Sequence, residues 1–350
     1  MIDLAVFYSD EFKEHVMDKA HPESPKRLDS IIKGLKELQS ELPEEISFFQ
    51  AETIDERDLL SVHVPDHIEQ IRAVSEAGGG MVTVDTTLNE FTFKVAKLAA
   101  GATKKAAQLV SENKTKKSFS VVRPPGHHAE VNSAGGFCFF NNIAVAAEWL
   151  NINKEYNKIA IIDIDHHFGN GTSHIFYHRK DVLYVSLHAH PMYSYPGSGY
   201  PTEVGISDGM GYNINIPLLP GTQGIDWLHA LEFSFPIIRQ FEPEILLISV
   251  GFDALSGDPV GILDLTPNTF FAAGYLLSQL ADELCDGKIS CTLEGGYKVD
   301  HLKEVTKKFI KGLLGYKPDI IKKMKETNVT NYTKNLLSQV RKALNDYWKF

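Results

Sequence analysis

The segment IAIIDIDHHFGNGT, residues 159–172, passes from an apolar run into a charged turn that contains glycine. A short continuous apolar run such as Ile159 to Ile162 is typical of a strand buried on both faces of a parallel sheet. The acidic and histidine side chains that follow would then stand at the carboxyl end of that strand. Open parallel sheets bind their ligands at this edge, so the segment indicates both a fold class and the place of a site.

Three further apolar runs end in turns that carry titratable residues or glycine. They are residues 118–122 before Arg123 to His128, residues 245–250 before Gly251 to Asp253, and residues 289–293 before Glu294 to Tyr297. Helical segments separate the runs along the chain. Strands that alternate with helices predict an α/β fold, here a single domain with a central, mainly parallel sheet flanked by helices.

The chain has 350 residues, 43% of them hydrophobic and 23% charged, so it is long and apolar enough to bury a large core. No linker divides it clearly, and we predict one domain over residues 1–317. Residues 318–350 are rich in Lys and place apolar side chains at helical spacing, which predicts a C-terminal helical extension packed on that domain. Three consecutive glycines, Gly78 to Gly80, predict a loop.

The charge balance and the cysteines limit the protein's surroundings and partners. Thirty-five basic against 45 acidic residues give a net charge of −10, which argues against a direct nucleic-acid partner. Three cysteines without a paired-cysteine motif favour a reducing compartment. The sequence starts without the basic residues of a signal peptide and has no apolar stretch of membrane-spanning length. We therefore expect a soluble, cytoplasmic protein without a membrane partner; the oligomeric state stays open, a homo-oligomer included.

Two carboxylates and one imidazole could form a metal site at the strand ends. Asp165 and His167 are separated by one residue, so both can point the same way from an extended chain. Asp253 at another strand end could supply the third ligand. Three protein ligands with positions left open are the catalytic arrangement of zinc rather than the structural one. Taken alone, Asp-x-His is more often a hydrogen-bonded loop motif.

A histidine pair and a tyrosine suggest proton transfer and carbonyl polarisation. His127 and His128 follow a Pro-Pro-Gly turn, and an imidazole there could take a proton from a metal-bound water and pass it to a leaving amine. Asp163 and Asn170 are candidates for the groups that fix the histidine tautomers. Tyr297 on a Gly-Gly turn could donate a hydrogen bond to a carbonyl oxygen. The alternative interpretations are that His127 has only a structural role and that Tyr297 is an ordinary turn residue.

Seven stretches together resemble the zinc-dependent histone deacetylase family, with its deacetylase-like and acetylpolyamine amidohydrolase branches. They are RPPGHHA (123–129), GGFCFFNN (135–142), DIDHHFGNGT (163–172), VSLH (185–188), YPGSG (195–199), GFDALSGDP (251–259) and LEGGY (293–297). They occur in the family's order and span most of the chain. The resemblance implies a single arginase-like α/β domain and an amidohydrolase that uses a zinc-bound water.

Carried over by position, the resemblance assigns a role to each of these residues. It makes Asp165, His167 and Asp253 the ligands of one catalytic Zn²⁺. It makes His127 and His128 the tandem histidines, with His128 the general base, and places Asp163 and Asn170 behind them. It makes Tyr297 the residue that polarises the carbonyl. Family members often bind K⁺ as well, which here would involve Asp163, Asp165 and Ser186.

The resemblance also describes the substrate tunnel. Phe137 and Tyr195 would form its walls, and the Gly136 carbonyl would accept the substrate's amide N–H. Polyamine-specific members carry an acid at the position of Val260, so no carboxylate there awaits a second amine. Asp85 is a candidate anchor for the substrate, although a solvated loop Asp is an equal interpretation.

Three positions of the stretch 163–172 depart from the family pattern. His166 is an additional histidine beside His167 and a rival for its ligand role, while Phe168 replaces the usual second histidine. Asn170 stands where other members carry Asp.

The motifs and the resemblance together predict a zinc-dependent deacetylase that hydrolyses N-acyl amides of lysine side chains, with N-acetyl as the expected acyl group. Its partner would be an acylated lysine peptide or protein. The first alternative is an acetylpolyamine or other small acylamine amidohydrolase. A domain that binds acylated ligands without turnover and an arginase-like manganese hydrolase are further alternatives. The native metal, Zn²⁺ or Fe²⁺, and the acyl length stay open.

Overall fold

The central sheet has eight parallel strands, in the computed structural model that describes residues 2–18 and 20–350. The strands of the chain are β1 (Ile2–Tyr8), β2 (Ile46–Gln50), β3 (Gly79–Thr83), β4 (Thr86–Asn89), β5 (Thr115–Ser120), β6 (Ile159–Asp163), β7 (Val182–Ala189), β8 (Asn213–Leu218), β9 (Ile245–Val250) and β10 (Ile289–Leu293). The sheet order is β2-β1-β5-β10-β9-β6-β7-β8, and β3 pairs with β4 as a separate antiparallel hairpin. The predicted α/β class with a central parallel sheet is confirmed.

Helices cover both faces of this sheet. They are α1 (Lys26–Glu41), α2 (Glu56–Leu59), α3 (Pro65–Glu76), α4 (Thr92–Ser111), α5 (Asn142–Lys154), α6 (Asn170–Phe176), α7 (Gly224–Phe241), α8 (Pro267–Leu284), α9 (Val299–Leu313), α10 (Ile320–Glu326) and α11 (Asn331–Leu344). Local signals start several of them: the Asn141 side chain accepts the N–H of Ala144 at the start of α5, and Pro267 opens α8.

The alternation of side chains along β6 shows why its apolar run is continuous. Ala160 and Ile162 belong to one apolar cluster, and Ile159 and Ile161 belong to the other. Successive side chains of a strand point to opposite faces, so a strand covered by helices on both sides needs apolar residues at every position. Asp163 is the first charged residue of the segment and ends the strand.

The C-terminal helices pack against the rest of the chain. α10 contacts α7 and α8, and α11 contacts α7 and the edge strand β8. The apolar side chains Leu336, Val340 and Leu344 of α11 are buried in the same cluster as the side chains of β8. The division of the chain into residues 1–317 and a separate extension over residues 318–350 remains a proposal.

The glycine run differs from its prediction. Gly79 and Gly80 form the start of β3 instead of a loop, and only Gly78 lies outside the hairpin. A Cβ atom on Gly79 would lie 2.4 Å from the carbonyl oxygen of Leu88 in β4, so the pairing itself requires glycine here. Among residues 2–18 and 20–350, no helix combines the length and the apolar character that a bilayer crossing needs.

We predict that acid destabilises the fold because three buried histidines stay neutral in it. Burial lowers the pKa of His15 and His63 to about 3 and that of His188 to about 4. Below the unfolded pKa of about 6.5 the unfolded chain binds protons that the folded chain excludes, so the free energy of unfolding falls by ~1.4 kcal/mol per pH unit for each histidine. Urea unfolding between pH 7.5 and 5 measures the summed slope of all titrating groups, to which buried Asp253 and Glu294 contribute with the opposite sign.

The variant His63→Gln is the matched comparison, because it removes one of these titrations. Its free energy of unfolding should fall less steeply with acidification than that of the unsubstituted chain. If the free energy of unfolding depended on pH in the same way in both proteins, the lowered pKa of His63 would be contradicted.

Candidate active site

A cavity of about 300 Å³ opens at the carboxyl edge of the parallel sheet. The loops after β5, β6, β7, β9 and β10 contribute to it, together with the turn of the β3–β4 hairpin. Its lining includes Asp85, Pro125, His127, His128, Gly136, Phe137, His167, Tyr193, Ser194, Tyr195, Val260, Ile262, Gly295 and Tyr297. All five residues of the predicted substrate-binding set therefore line one cavity with both tandem histidines and Tyr297.

Asp165, His167 and Asp253 converge at this cavity. One ligand atom from each residue lies within 4.8 Å of the others. Nδ1 of His167 is 3.1 Å from Oδ2 of Asp253 and 3.3 Å from Oδ1 of Asp165. Both carboxyl groups are buried, and the backbone N–H of Gly295 donates to Oδ2 of Asp165 at 2.8 Å. The three groups are thus held in place by the ends of β6, β9 and β10.

The charges of this group suit a divalent cation. Burial raises the pKa of Asp253 to about 7, and the neighbouring charge of Asp165 acts in the same direction. Burial opposes the charged form of His167, but its hydrogen bonds to Asp165 and Asp253 outweigh it and raise the pKa to about 10. Positive charge on His167, and on His127 for Asp165, thus favours the charged forms of these buried carboxylates. Two carboxylates and one imidazole are a donor set that Zn²⁺ accepts in catalytic sites.

His166 lies apart from this group. Its backbone N–H donates to Oδ1 of Asp253 at 3.0 Å, while Nε2 of its ring accepts the backbone N–H of Ile262 at 3.3 Å. Burial lowers the pKa of its ring to about 3. In the described residues, the group able to hold a metal contains His167 and does not contain His166.

The two tandem histidines have opposite electrostatic environments. Burial disfavours the charged form of His127, but the Asp163 carboxylate, 3.0 Å from Nδ1, outweighs it and raises the pKa to about 10. Burial and the charge of His127 hold the pKa of His128 well below its usual range. Nδ1 of His128 is 2.7 Å from Oδ1 of Asn170. At neutral pH, His127 is therefore a cation and His128 a neutral imidazole that can accept a proton.

The aromatic residues of the cavity are packed edge to face. The ring of Phe137 lies 5.8 Å from that of Tyr297, and the ring of Tyr195 lies 4.9 Å from that of His128. Burial raises the pKa of Tyr297 well above its usual range, so its phenol stays a hydrogen-bond donor. Gly136 has a φ of +54°, and a Cβ atom there would lie 2.4 Å from Cδ2 of His128. Only glycine therefore allows the tunnel wall to approach the histidine so closely.

Three charged residues that support the site were not assigned from the sequence. Glu294 accepts the backbone N–H groups of Gly126 and His127 through Oε2, at 2.7 and 3.1 Å. Arg27 lies 4.7 Å above the ring of Tyr297 and donates to the Gly296 carbonyl. Asp258 accepts the backbone N–H of Tyr297 at 2.7 Å.

Two of these three residues were present in the quoted motifs without a chemical role attached, and Arg27 lies outside those motifs. Glu294 lies in LEGGY and Asp258 in GFDALSGDP. Their hydrogen-bond partners come from other strands, so spacing along the sequence does not reveal them.

The remaining predicted positions are placed as follows. Oδ1 of Asp85 accepts the hydroxyls of Thr83 and Thr86 at 2.5 and 2.9 Å, which orients this carboxylate at the cavity. Asp163 and Ser186 are paired in the register of β6 and β7, and Oδ1 of Asp163 accepts the N–H of Asp165. The K⁺ ion itself stays a prediction.

Comparison with known proteins identifies relatives of the whole chain. Residues 21–313 match a family described as "Histone deacetylase domain". A probable deacetylase of Archaeoglobus fulgidus is 32% identical over 357 residues, with 98% of each chain covered. The histone deacetylase-like amidohydrolase of Pseudomonas aeruginosa is 34% identical, with 79% of this chain and 71% of that protein covered.

Plant relatives extend the comparison to a solved structure. Histone deacetylase 15 of Arabidopsis thaliana is 39% identical over 87% of this chain, which spans 54% of that protein's length. The crystal structure of the HDA15 HD domain superposes with a TM-score of 0.89, at 34% identity over 99% of this chain and 96% of that one.

Neighbouring histidines provide a test of the metal site. We predict that His167→Ala abolishes stoichiometric Zn²⁺ binding, because it removes one of three converging donors, whereas His166→Ala retains it. Metal content after dialysis against zinc buffers, measured by mass spectrometry, distinguishes the variants. Equal retention by both, with circular dichroism showing both folded, would contradict the ligand assignment; loss only in His166→Ala would reverse it.

Proposed function

The chain belongs to the histone deacetylase family, and on this premise we propose that it is a zinc-dependent hydrolase of N-acetyl amides on lysine side chains. The observation that supports the proposal most directly is the shared cavity: Asp165, His167 and Asp253 converge where His128 and Tyr297 also reach. Amide hydrolysis needs an activated water, a proton acceptor and a donor to the carbonyl oxygen, and these residues could supply or hold each of them.

The metal would be held by Asp165, His167 and Asp253. When bound, Zn²⁺ supplies a Lewis acid that polarises a carbonyl and lowers the pKa of a coordinated water to about 7. The residues fit such an ion because two buried carboxylates face each other across one imidazole. The same three donors also fit Fe²⁺, so the choice of Zn²⁺ as the native metal belongs to the proposal.

His128 acts as the general base and then as the general acid. Its neutral imidazole takes a proton from the attacking water, and the same proton goes to the nitrogen of the leaving amine as the C–N bond breaks. The products are the free amine and acetate. His127, held positive by Asp163, keeps its proton and favours the development of negative charge at the neighbouring carbonyl oxygen.

Tyr297 donates to the carbonyl oxygen as it becomes negative. Its phenol is held from two sides: Arg27 lies over the ring, and Asp258 accepts the backbone N–H. A donor fixed in place before the reaction stabilises the transition state without the cost of reorganisation.

The shape of the cavity supports a lysine side chain as the substrate. Phe137 and Tyr195 provide aromatic walls for a linear aliphatic chain, and the Gly136 carbonyl accepts the amide N–H. Val260 is apolar and lines the cavity, where an acid would be needed to bind the second amine of a polyamine. Asp85 lies on the hairpin turn and accepts N–H groups from the peptide backbone.

The carboxylate of Asp85 also gives the alternative its support. An ammonium group at the far end of a small acylamine could pair with Asp85 instead of a peptide N–H, which would make the protein an acetylpolyamine amidohydrolase. We propose the lysine substrate over this one because Val260, which lines the same cavity, offers no second carboxylate for a polyamine.

Removing one phenol oxygen tests the proposed role of Tyr297. We predict that Tyr297→Phe lowers kcat on a zinc-loaded acetyl-lysine peptide assay by about 10²–10³, the usual effect of losing one oxyanion donor. Metal content should not change. Tyr200→Phe, which removes the same atom outside the cavity lining, is the control and should retain full activity. Comparable turnover by Tyr297→Phe and Tyr200→Phe would rule the role out.

Substrate class is tested at the position of Val260. The unsubstituted chain should hydrolyse an acetyl-lysine peptide with a higher kcat/KM than N-acetylputrescine. In Val260→Glu, the ratio of kcat/KM for N-acetylputrescine to kcat/KM for the acetyl-lysine peptide should rise at least about tenfold, because the new carboxylate can pair with the second amine. Val260→Gln, of nearly the same size but uncharged, is the control. A preference of the unsubstituted chain for N-acetylputrescine would favour the alternative function.

A further inference from the structure

Asn170 is an ambiguous partner for His128, since an amide has an acceptor on one side and a donor on the other. In the structure its Oδ1 lies 2.7 Å from Nδ1 of His128. An amide oxygen only accepts, so Nδ1 carries the hydrogen and Nε2 keeps its lone pair. Rotating the amide by 180° would make the NH₂ group donate to Nδ1. Nε2 would then carry the hydrogen, and His128 could not act as a base.

Glu130 resolves this ambiguity. Its Oε1 lies 2.6 Å from Nδ2 of Asn170. A carboxylate offers acceptors only, so the atom of Asn170 that faces it has to be the NH₂ group. With the amide rotated, the carbonyl oxygen would lie against the carboxylate at the same short distance, and both would be left without a hydrogen between them. The orientation that Glu130 permits is the one that leaves Nε2 of His128 free.

Glu130 is itself fixed on both sides. Its side chain is 23% exposed, and the same Oε1 lies 2.8 Å from Nδ1 of His174. Its backbone carbonyl accepts Nδ1–H of His63 at 2.9 Å, and the backbone N–H of Asn141 donates to Nε2 of that ring. Hydrogen bonds therefore connect the surface at His174 with the cavity at His128 through two intermediate side chains.

We propose that Glu130 is a positioning residue that orients the Asn170 amide and so selects the tautomer of His128 able to accept a proton. The inference rests on the proposed function, in which His128 is the base. The inference gives a physical reason why Asn170 is accompanied by Glu130. An aspartate behind His128 would need no residue to orient it, because both its oxygens accept. With asparagine there, the negative charge stands one residue farther from the reaction, at Glu130.

Reversing the polarity at position 130 tests the proposal. Glu130→Lys replaces an acceptor by a donor, which favours the rotated amide. In the zinc-loaded full chain on an acetyl-lysine peptide, we expect kcat to fall by about 100-fold, below the ~10⁴ that a wrong tautomer costs in a serine protease triad. KM and zinc content should stay within about twofold. Glu326→Lys, with the same charge change at an exposed position of α10, is the control.

Asn170→Asp should suppress the defect. An aspartate has no donor to turn toward His128, and it can pair with the new lysine. In the double variant Glu130→Lys/Asn170→Asp, kcat should recover at least about tenfold over Glu130→Lys alone, an interaction that a merely structural role of Glu130 would not produce. No recovery in a folded, zinc-loaded double variant would overturn the proposal, as would a kcat of Glu130→Lys within twofold of the unsubstituted chain.

Two further measurements cover the remaining outcomes. If Glu130→Lys fails to fold or to bind zinc, the isosteric Glu130→Gln replaces it, with an expected fall in kcat of about tenfold, the lower end for losing an orienting group, that Asn170→Asp again reverses. Long-range ¹H–¹⁵N spectra of histidine-labelled protein report the His128 tautomer directly, assigned by its loss in His128→Gln. An Nδ1–H tautomer that changes to Nε2–H in the position-130 variant supports the inference even if no substrate is turned over. An unchanged His128 tautomer in that variant would overturn the inference independently of the proposed function.

Discussion

Two carboxylates, Asp165 and Asp253, are buried beside one imidazole at the carboxyl edge of a parallel sheet. Removing a charged group from water costs several kcal/mol unless partners compensate for the lost hydration. Much of the surrounding structure provides that compensation. Backbone N–H groups of Gly295 and His166 donate to the two carboxylates, and a cation held between them would complete it.

Further buried charges are balanced around this centre in the same manner. Glu23 accepts from Arg123 and pairs with Arg27, and all three side chains are fully buried. Arg27 also donates to the carbonyls of Glu294 and Gly296, which lie in the turn that carries Tyr297. The first turn of α1 is thereby connected to the turn after β10, although 269 residues separate Arg27 from Gly296. Removing one member of a buried charge pair leaves the other charge buried and unpaired, which costs several kcal/mol. This network therefore makes the position of Tyr297 costly to change.

The parts of this structure that follow from local pattern were predictable, and the parts that depend on distant partners were not. The run of residues 245–250 is β9 to the residue, because its mostly apolar sequence is bounded by Glu244 on one side and Gly251 on the other. The hairpin of β3 and β4 was missed because Gly79 is required by the close approach of Leu88 and not by a turn. The residues of the site were predicted from two sources together: the tendency of ligands to bind at the carboxyl ends of parallel strands, and the family resemblance. Glu130 and Glu294 escaped both, since their roles exist only through hydrogen bonds to residues on other segments.

The helix α11 lies outside the residues that match the family and packs on β8, the last strand of the sheet. Shortening the chain to the matched region would uncover the apolar side chains of Ile214, Ile216 and Leu218 next to a margin whose peptide groups have no further strand to pair with. Such a fragment would be prone to self-association through intermolecular β-pairing. Expression and crystallisation are therefore better attempted with the whole chain, with any affinity tag placed so that Trp348 can still donate to the carbonyl of Gly211.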